Sequence, residues 1–317
     1  MKIVVTGALG HIGSRLIRSL PEAFPQAEFV LIDNMSCERY CSLFDLPARY
    51  RYRFIEDDLL TMNLKPHVSG ADAVVHLGAI TNAAGSFDIK EKLESHNFNA
   101  TRRVAEAAAE QGAAVLFAST TSVYGTQKER VDEACSEDEL KPQSPYAETK
   151  LKEERLLTDM GAAGLRFITC RFGTIFGKSP GMRFHTAVNK FCWQAVSGAP
   201  LTIWETAYRQ KRPYLDLEDA VRAVAFILGK KLFDGEIYNV LTLNATVSDI
   251  VEAIKTRLPE VRVSFVKHEI MNQLSYDVAC EKFKGLGFEF RGDLQRGVSE
   301  TVELLRASNG RQERSNV

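Results

Sequence analysis

The chain has 317 residues, 45% hydrophobic and 26% charged, with a formal net charge of −1 at pH 7. That length suits an α/β protein with one large core or two interleaved lobes, and the near-neutral balance gives no electrostatic case for nucleic acid. No apolar run approaches the length of a membrane span, and Met1 leads straight into an apolar strand, so no signal peptide is expected. A cytoplasmic protein is therefore expected. The six cysteines (37, 41, 135, 170, 192 and 280) are scattered. Cys37 and Cys41 lack a second pair to complete a metal site, so no metal is expected and reduced thiols are.

Lys2-Ile3-Val4-Val5-Thr6 is short, apolar and rich in β-branched residues, and runs straight into Gly7-Ala8-Leu9-Gly10-His11-Ile12-Gly13. Ile12, Leu16, Ile17 and Leu20 then recur at helical spacing. Strand, glycine turn and helix in that order open a dinucleotide-binding βαβ unit. Glycine lets the backbone turn tightly and lets a pyrophosphate come close. The helix start points its N–H groups and positive dipole end at the phosphates. Gly7, Gly10, His11, Ile12 and Gly13 are the candidate cradle. Val30-Leu31-Ile32-Asp33 is a second buried strand, ending in an acid about 20 residues after the last glycine, where a ribose diol sits in such units. Asp33 and Asn34 are the candidates there. An acid repels a 2′-phosphate, so NAD is expected rather than NADP; the nearest following cation is Arg39.

Arg53-Phe54-Ile55 reads as a third strand, followed by acids. Asp58 and Leu59 stand where a nucleotide fold meets the adenine. Ala73 to Ala79 reads as a fourth buried strand ending in small residues, and Leu77, Gly78 and Ala79 suit a strand end laid against a ligand. His76 lies inside that apolar strand, which favours packing over general-base work. Asn97 to Gln111 has helical periodicity and is rich in alanine. The fifth strand, Ala113 to Ala118, runs into four hydroxyls, Ser119-Thr120-Thr121-Ser122, at the end where doubly wound sheets bind ligands. Residues 126–144 read as a polar surface loop. A helix then starts at Ser144-Pro145 and carries Tyr146 and Lys150, one turn apart on one face.

In this order and at these separations, the pieces resemble the extended short-chain dehydrogenase/reductase family, in particular its nucleotide-sugar epimerases and dehydratases. The matching pieces are the Gly7–Gly10–Gly13 turn, Asp33, His76-Leu77-Gly78-Ala79, Asn97, Ser119-Thr120, Val123-Tyr124-Gly125, Tyr146 with Lys150, Arg171-Phe172 with Phe176-Gly177, and Arg212 with Asp216 and Asp219. They cover roughly residues 1–305. The resemblance implies a doubly wound (Rossmann) parallel sheet with a smaller C-terminal substrate-binding lobe. Residues 1–177 would form the NAD-binding domain, rejoined by about 211–242; 178–210 and 243–306 would form the lobe, and 307–317 a flexible tail. It further implies that Asn97 and Ser119 serve the cofactor, and that Thr81, Thr174, Arg183, Asn189 and Arg212 serve a nucleotide-diphosphate sugar, with Arg212 gripping the diphosphate.

The implied chemistry is physically reasonable. A phenol ordinarily titrates near 10, and lowering that by about three units takes roughly 4 kcal/mol of differential stabilisation. A neighbouring ammonium supplies such stabilisation in a shielded cleft. Tyr146 is thus the expected base, Lys150 the cation that favours its phenolate, and Thr120 the hydroxyl that fixes the substrate oxygen. In the family's 4,6-dehydratases, Asp and Glu follow the threonine; Thr121 and Ser122 stand there instead. Related decarboxylases carry Glu at the Ser122 position. Small residues there match the epimerases, so epimerisation, most simply at C4, is expected. A net oxidoreductase or dehydratase, and a non-catalytic NAD-binding regulator, are the alternatives. Thr174 replaces an Asn that is usual in the family, and the loop carrying Arg183, His185 and Asn189 departs from the usual epimerase loop. In this family the helices near 95–111 and 146–160 commonly pair between two subunits, which implies a homodimer.

Overall fold

The computed structural model describes residues 1–81, 84–125, 129–267 and 275–308. Strand β1 (Lys2–Thr6) leads through the glycine turn into helix α1 (His11–Ala23), whose Leu16, Ile17 and Leu20 are fully buried. Then come β2 (Glu28–Asp33), β3 (Arg51–Glu56), the short α2 (Lys65–Val68), β4 (Ala73–His76), α3 (Lys90–Gln111) and β5 (Ala114–Thr120). Helix α3 starts well before the periodic stretch at Asn97, because its first turns are polar and bury little besides Leu93. The expected surface loop contains a two-residue strand, β6 (Arg130–Val131). Helix α4 (Pro145–Ala162) starts where expected: the Ser144 hydroxyl accepts from the Ala147 amide at 3.2 Å, and Pro145 needs no N–H partner in the first turn.

Strands β7 (Phe167–Phe172) and β8 (Thr174–Phe176) follow, then α5 (Ala187–Val196), β9 (Leu201–Trp204), β10 (Lys211–Asp216), α6 (Leu217–Lys230) and β11 (Ile237–Val240). The chain goes on through β12 (Leu243–Thr246), α7 (Val247–Lys255), β13 (Val263–Val266), β14 (Asp277–Val278), α8 (Glu281–Gly285) and α9 (Leu294–Ser308). Seven strands form one parallel sheet in the order β11-β7-β5-β4-β1-β2-β3. The direction of winding reverses between β1 and β4, the switch point at which such sheets open a ligand crevice. Strand β7, buried at every position, was not foreseen from the sequence, although β11 returns to the main sheet as expected.

Both faces of the sheet are covered, which explains why its strands read as continuous apolar runs. One core joins α1 and α6 to the sheet, and a second lies under α3 and α4. A separate cluster from Phe176, α5, β9, α7 and α9 forms the centre of the smaller lobe. Phe283 and Phe288, which fall within the sequence range expected for that lobe, pack into the first core instead. The expected tail falls mostly on residues 309–317, outside the described residues.

The glycine turn is packed too tightly for side chains. A Cβ at Gly13 would lie 2.6 Å from the Ala8 carbonyl oxygen and closer still to that of Gly7. Gly13→Ala is therefore expected to lower stability by about 1–3 kcal/mol, read from urea unfolding, and to weaken NAD binding in equilibrium titration.

Candidate active site

Two connected cavities open at the C-terminal ends of the sheet strands. The larger, about 380 Å³, lies over the switch point. It is lined by Gly7, Gly10, His11, Ile12, Gly13, Asp33, Asn34, Asp58, Leu59, Leu77, Gly78 and Ala79. Gly7 has φ +64, and a Cβ there would lie 2.7 Å from the Gly78 amide. Asp33 is fixed by its neighbours: its carboxylate accepts the Leu9 amide at 3.0 Å and the Met35 amide at 3.1 Å. Each of its oxygens can still accept from a ribose hydroxyl. Burial raises the Asp58 carboxyl, but the Leu60 amide and the Asn34 side chain outweigh it and hold the group below the usual range. Asn34 thus serves Asp58.

The second cavity, about 160 Å³, lies at the ends of β5 and β7 beside the start of α4. Ser119, Thr120, Ser122, Tyr146, Lys150 and Thr174 line it. Five residues, Ile12, Leu77, Ala79, Thr81 and Arg183, belong to both walls, so one ligand can reach into the space of another. The Thr120 hydroxyl accepts the Ser122 amide at 3.1 Å, which leaves its own proton to give. Lys150 is buried, with its ammonium 4.4 Å from the centre of the Phe117 ring and 3.3 Å from Glu153.

The floor is held by paired charges. Arg171 grips Glu154 through Nε at 3.1 Å and Nη2 at 2.7 Å, and Ser119 donates to the same carboxylate. Burial opposes the Arg171 charge, but Glu154 outweighs it and raises the guanidinium above its ordinary range. Arg171 also donates to the Tyr124 hydroxyl at 2.9 Å, which in turn donates to the Asn239 side-chain oxygen.

The loop after β8 crosses the glycine turn. The His11 ring donates to the Gly177 carbonyl at 2.9 Å, Ser179 donates to the His11 carbonyl at 2.9 Å, and the Gly181 amide donates to Ser14 at 2.9 Å. This places Arg183 between the cavities, where it donates to the Thr81 hydroxyl. Its Nε is buried without an acceptor, and it has no ion pair among the described residues. Burial, first, and the neighbouring Arg39 lower its proton affinity, although Tyr146 opposes them.

Three expected site residues line neither cavity. Asn97 clasps the loop after β4 by accepting the Ile80 amide at 2.8 Å and donating to the Ile80 carbonyl at 2.9 Å. Asn189 accepts the Gly177 amide and donates to the Arg183 carbonyl. Arg212 donates to the Lys211 carbonyl and to Gln210, with its guanidinium 5.8 Å from the Tyr276 ring centre. Arg39, Lys92 and His96 line the larger cavity without having been singled out as contacts. Among the described residues no cluster suits a metal ion, and no helix is long and apolar enough to cross a membrane.

Strand order, glycine turn and the threonine–tyrosine–lysine cavity define a Rossmann-fold enzyme of the extended short-chain dehydrogenase/reductase type. The chain belongs to the NAD dependent epimerase/dehydratase family, whose sequence profile matches residues 3–240. A UDP-glucose epimerase of Bacillus subtilis, itself uncharacterised, is 33% identical over 249 residues, 76% of this chain and 76% of its own. A trifunctional UDP-glucose 4,6-dehydratase/UDP-4-keto-6-deoxy-D-glucose 3,5-epimerase/UDP-4-keto-L-rhamnose-reductase of Arabidopsis thaliana is 28% identical. The match covers 95% of this chain but 46% of that one, so this chain spans about half its length. A solved UDP-glucuronic acid 4-epimerase from Bacillus cereus, in complex with UDP-glucuronic acid and NAD, matches with a TM-score of 0.84 at 26% identity, covering 97% of this chain and 100% of that one. The residues present fit NAD: the cradle at Gly13 has no room for a side chain, and Asp33 is held at the ribose position.

His11 and His76 are both buried and both driven down to about 3, mainly by burial. A histidine whose folded value is depressed stabilises the fold above its unfolded value of 6.5, and that stability is lost as pH falls toward 3. At pH 5 the loss is roughly 2 kcal/mol per ring relative to pH 7. The urea midpoint should fall steadily from pH 7 to pH 5; an unchanged midpoint would contradict the burial of these rings.

Proposed function

We propose that this chain is an NAD-dependent nucleotide-sugar epimerase acting at C4. The observation that carries the reading is that Thr120, Tyr146 and Lys150 line one cavity that shares a wall with the glycine-turn cleft. Thr121 and Ser122 stand where the family's dehydratases carry acids, which supports epimerisation over water elimination. The relatives and solved structures that are UDP-sugar epimerases point the same way.

Tyr146 takes the proton from the sugar hydroxyl, and the Lys150 ammonium stabilises the phenolate that does so. Thr120 donates to the same oxygen and fixes its position. NAD, when bound in the glycine-turn cleft, would supply the hydride acceptor and donor for the sugar carbon. Tyr146 then gives its proton back. Arg183, a buried cation with no carboxylate partner among the described residues, meets an anionic group of the substrate. The cofactor residues that line the two cavities hold NAD, and Arg212, which lines neither of them here, holds the diphosphate once the nucleotide is bound.

NMR of UDP-glucose and UDP-glucuronic acid incubated with the protein should show the C4 epimer without added cofactor. Tyr146→Phe should lower turnover by roughly 100-fold or more and leave bound NAD nearly intact. Full activity in that variant would remove Tyr146 as the base, and continuing net NADH formation at 340 nm would make the protein an oxidoreductase instead.

The protein also acts in the cytoplasm as a homodimer in this reading. Helices α3 and α4 pack side by side, tied by ion pairs from Lys90 to Glu148 and from Lys152 to Glu94. Their outer faces would form a four-helix bundle with a second copy. Light scattering at micromolar concentration should give twice the chain mass; a monomer would rule the pairing out.

A further inference from the structure

Behind Lys150 runs a buried row of polar groups that the chemistry above does not use. Lys150, Glu153, Thr101, His76 and Thr6 are each exposed by 3% or less. They come from α4, α3, β4 and β1, so no local sequence pattern assembles them. The Lys150 ammonium is 3.3 Å from Glu153 Oε2. Glu153 Oε1 accepts the hydroxyl of Thr101. Thr101 Oγ1 lies 3.0 Å from His76 Nε2, and His76 Nδ1 lies 2.7 Å from Thr6 Oγ1. Thr6 Oγ1 accepts the Gly78 amide at 3.3 Å, at the wall of the larger cavity.

The direction of the row follows from counting protons. A threonine hydroxyl has one proton to give. Thr101 gives its proton to the carboxylate, so it accepts from His76, and Nε2 carries the hydrogen. His76 is neutral, because burial and the charges of Lys150 and His96 drive it down to about 3. Its Nδ1 therefore holds a lone pair and takes the Thr6 proton. Every donor thus points toward Glu153. The row begins at a backbone amide, which has no proton to pass on, so it is a fixed line of dipoles and not a conduit.

The two oxygens of Glu153 are divided between two tasks. Oε1 terminates the row, while Oε2 meets no hydrogen-bond donor of good geometry, only the ammonium charge. The centre of the Phe117 ring of β5 lies 4.4 Å from the same ammonium. The adjacent carboxylate, Glu154, is committed to Arg171 and Ser119. Glu153 is thus the one carboxylate in an ion pair with Lys150 among the described residues.

We propose that Glu153 is a positioning residue of the active site: a buried counter-charge, aimed by the row from Thr6, that holds the Lys150 side chain at the cavity wall and moderates its field at Tyr146. This rests on Tyr146 and Lys150 being the working pair proposed above. The row also ties the counter-charge to the Gly78 amide, on the wall against which NAD would lie.

Glu153→Gln keeps the size of the side chain and an acceptor for Thr101 but removes the charge. An ammonium without its counter-charge gives up its proton more readily, and a phenol facing an unscreened ammonium ionises more readily. Both limbs of the pH profile of kcat/KM should therefore move to lower pH. Glu153→Asp, which keeps the charge, should restore the wild-type limbs even if the plateau is lower. A purely structural role would lower the plateau and leave the limbs in place, and that result overturns the proposal. Lys150→Met gives a test that needs neither turnover nor the Gln variant. A buried carboxylate left without its cation takes up a proton, so the infrared spectrum at pH 7 should gain an un-ionised carboxyl stretch that is absent from the double variant Lys150→Met/Glu153→Gln. A spectrum without that band also overturns the proposal. If the wild-type protein turned over no sugar nucleotide, the epimerase reading would fall, while the infrared band would still decide the role of Glu153.

Discussion

The contact on which everything else depends is made by main chain against main chain. Gly7 and Gly78 meet so closely that no side chain fits between them, and Gly13 closes against the carbonyls of the same turn. That approach brings the ends of β1 and β4 together just where the sheet changes its direction of winding. The crevice above the fork is a by-product of this geometry. It is lined by backbone amides, small residues and the carboxylates of Asp33, Asp57 and Asp58, of which Asp33 is fixed in place by the turn itself.

Helix α4 is the second organising element, and its inner face is charged. Lys150, Glu153 and Glu154 are all buried, partnered by each other, by Arg171 and by hydroxyls from neighbouring elements. Buried ion pairs of this kind rarely stabilise a fold beyond what apolar residues of the same size would provide, because desolvation opposes them. They do fix geometry. Each charge here has one position in which its partners are met, and that position sets where Tyr146 and Lys150 stand relative to the sheet ends.

The parts of this arrangement that are local in sequence could be read from it. The strand, glycine turn and helix from Lys2 to Leu20, the acid at Asp33 and the Tyr146–Lys150 spacing each lie within a few turns of chain, and the structure has them in one crevice. Strand β7 was not foreseen because its apolar run is short and is interrupted by Thr169 and by the charge of Arg171, which the fold buries against Glu154. Glu153 and Glu154 look like an ordinary solvated pair on a helix surface. Their partners Thr101, His76 and Arg171 lie on other elements, so their burial is a property of the fold alone. Asn97 and Asn189 were visible as residues, but their work is to hold the backbone at Ile80, Gly177 and Arg183, which no spacing reveals. Arg183 was legible as a candidate for the substrate, but its contact with Thr81 comes from the fold alone.

The crossing of residues 177–181 over α1 has a mechanical consequence. Gly177, Ser179 and Gly181 are each fastened to His11 or Ser14, so the first stretch of chain beyond the sequence-defined boundary moves as part of the dinucleotide-binding half. A hinge at Gly177 would have to break these bonds, so the chain is tied to the cofactor helix as far as Gly181, and Arg183 is the first charged residue beyond that tether.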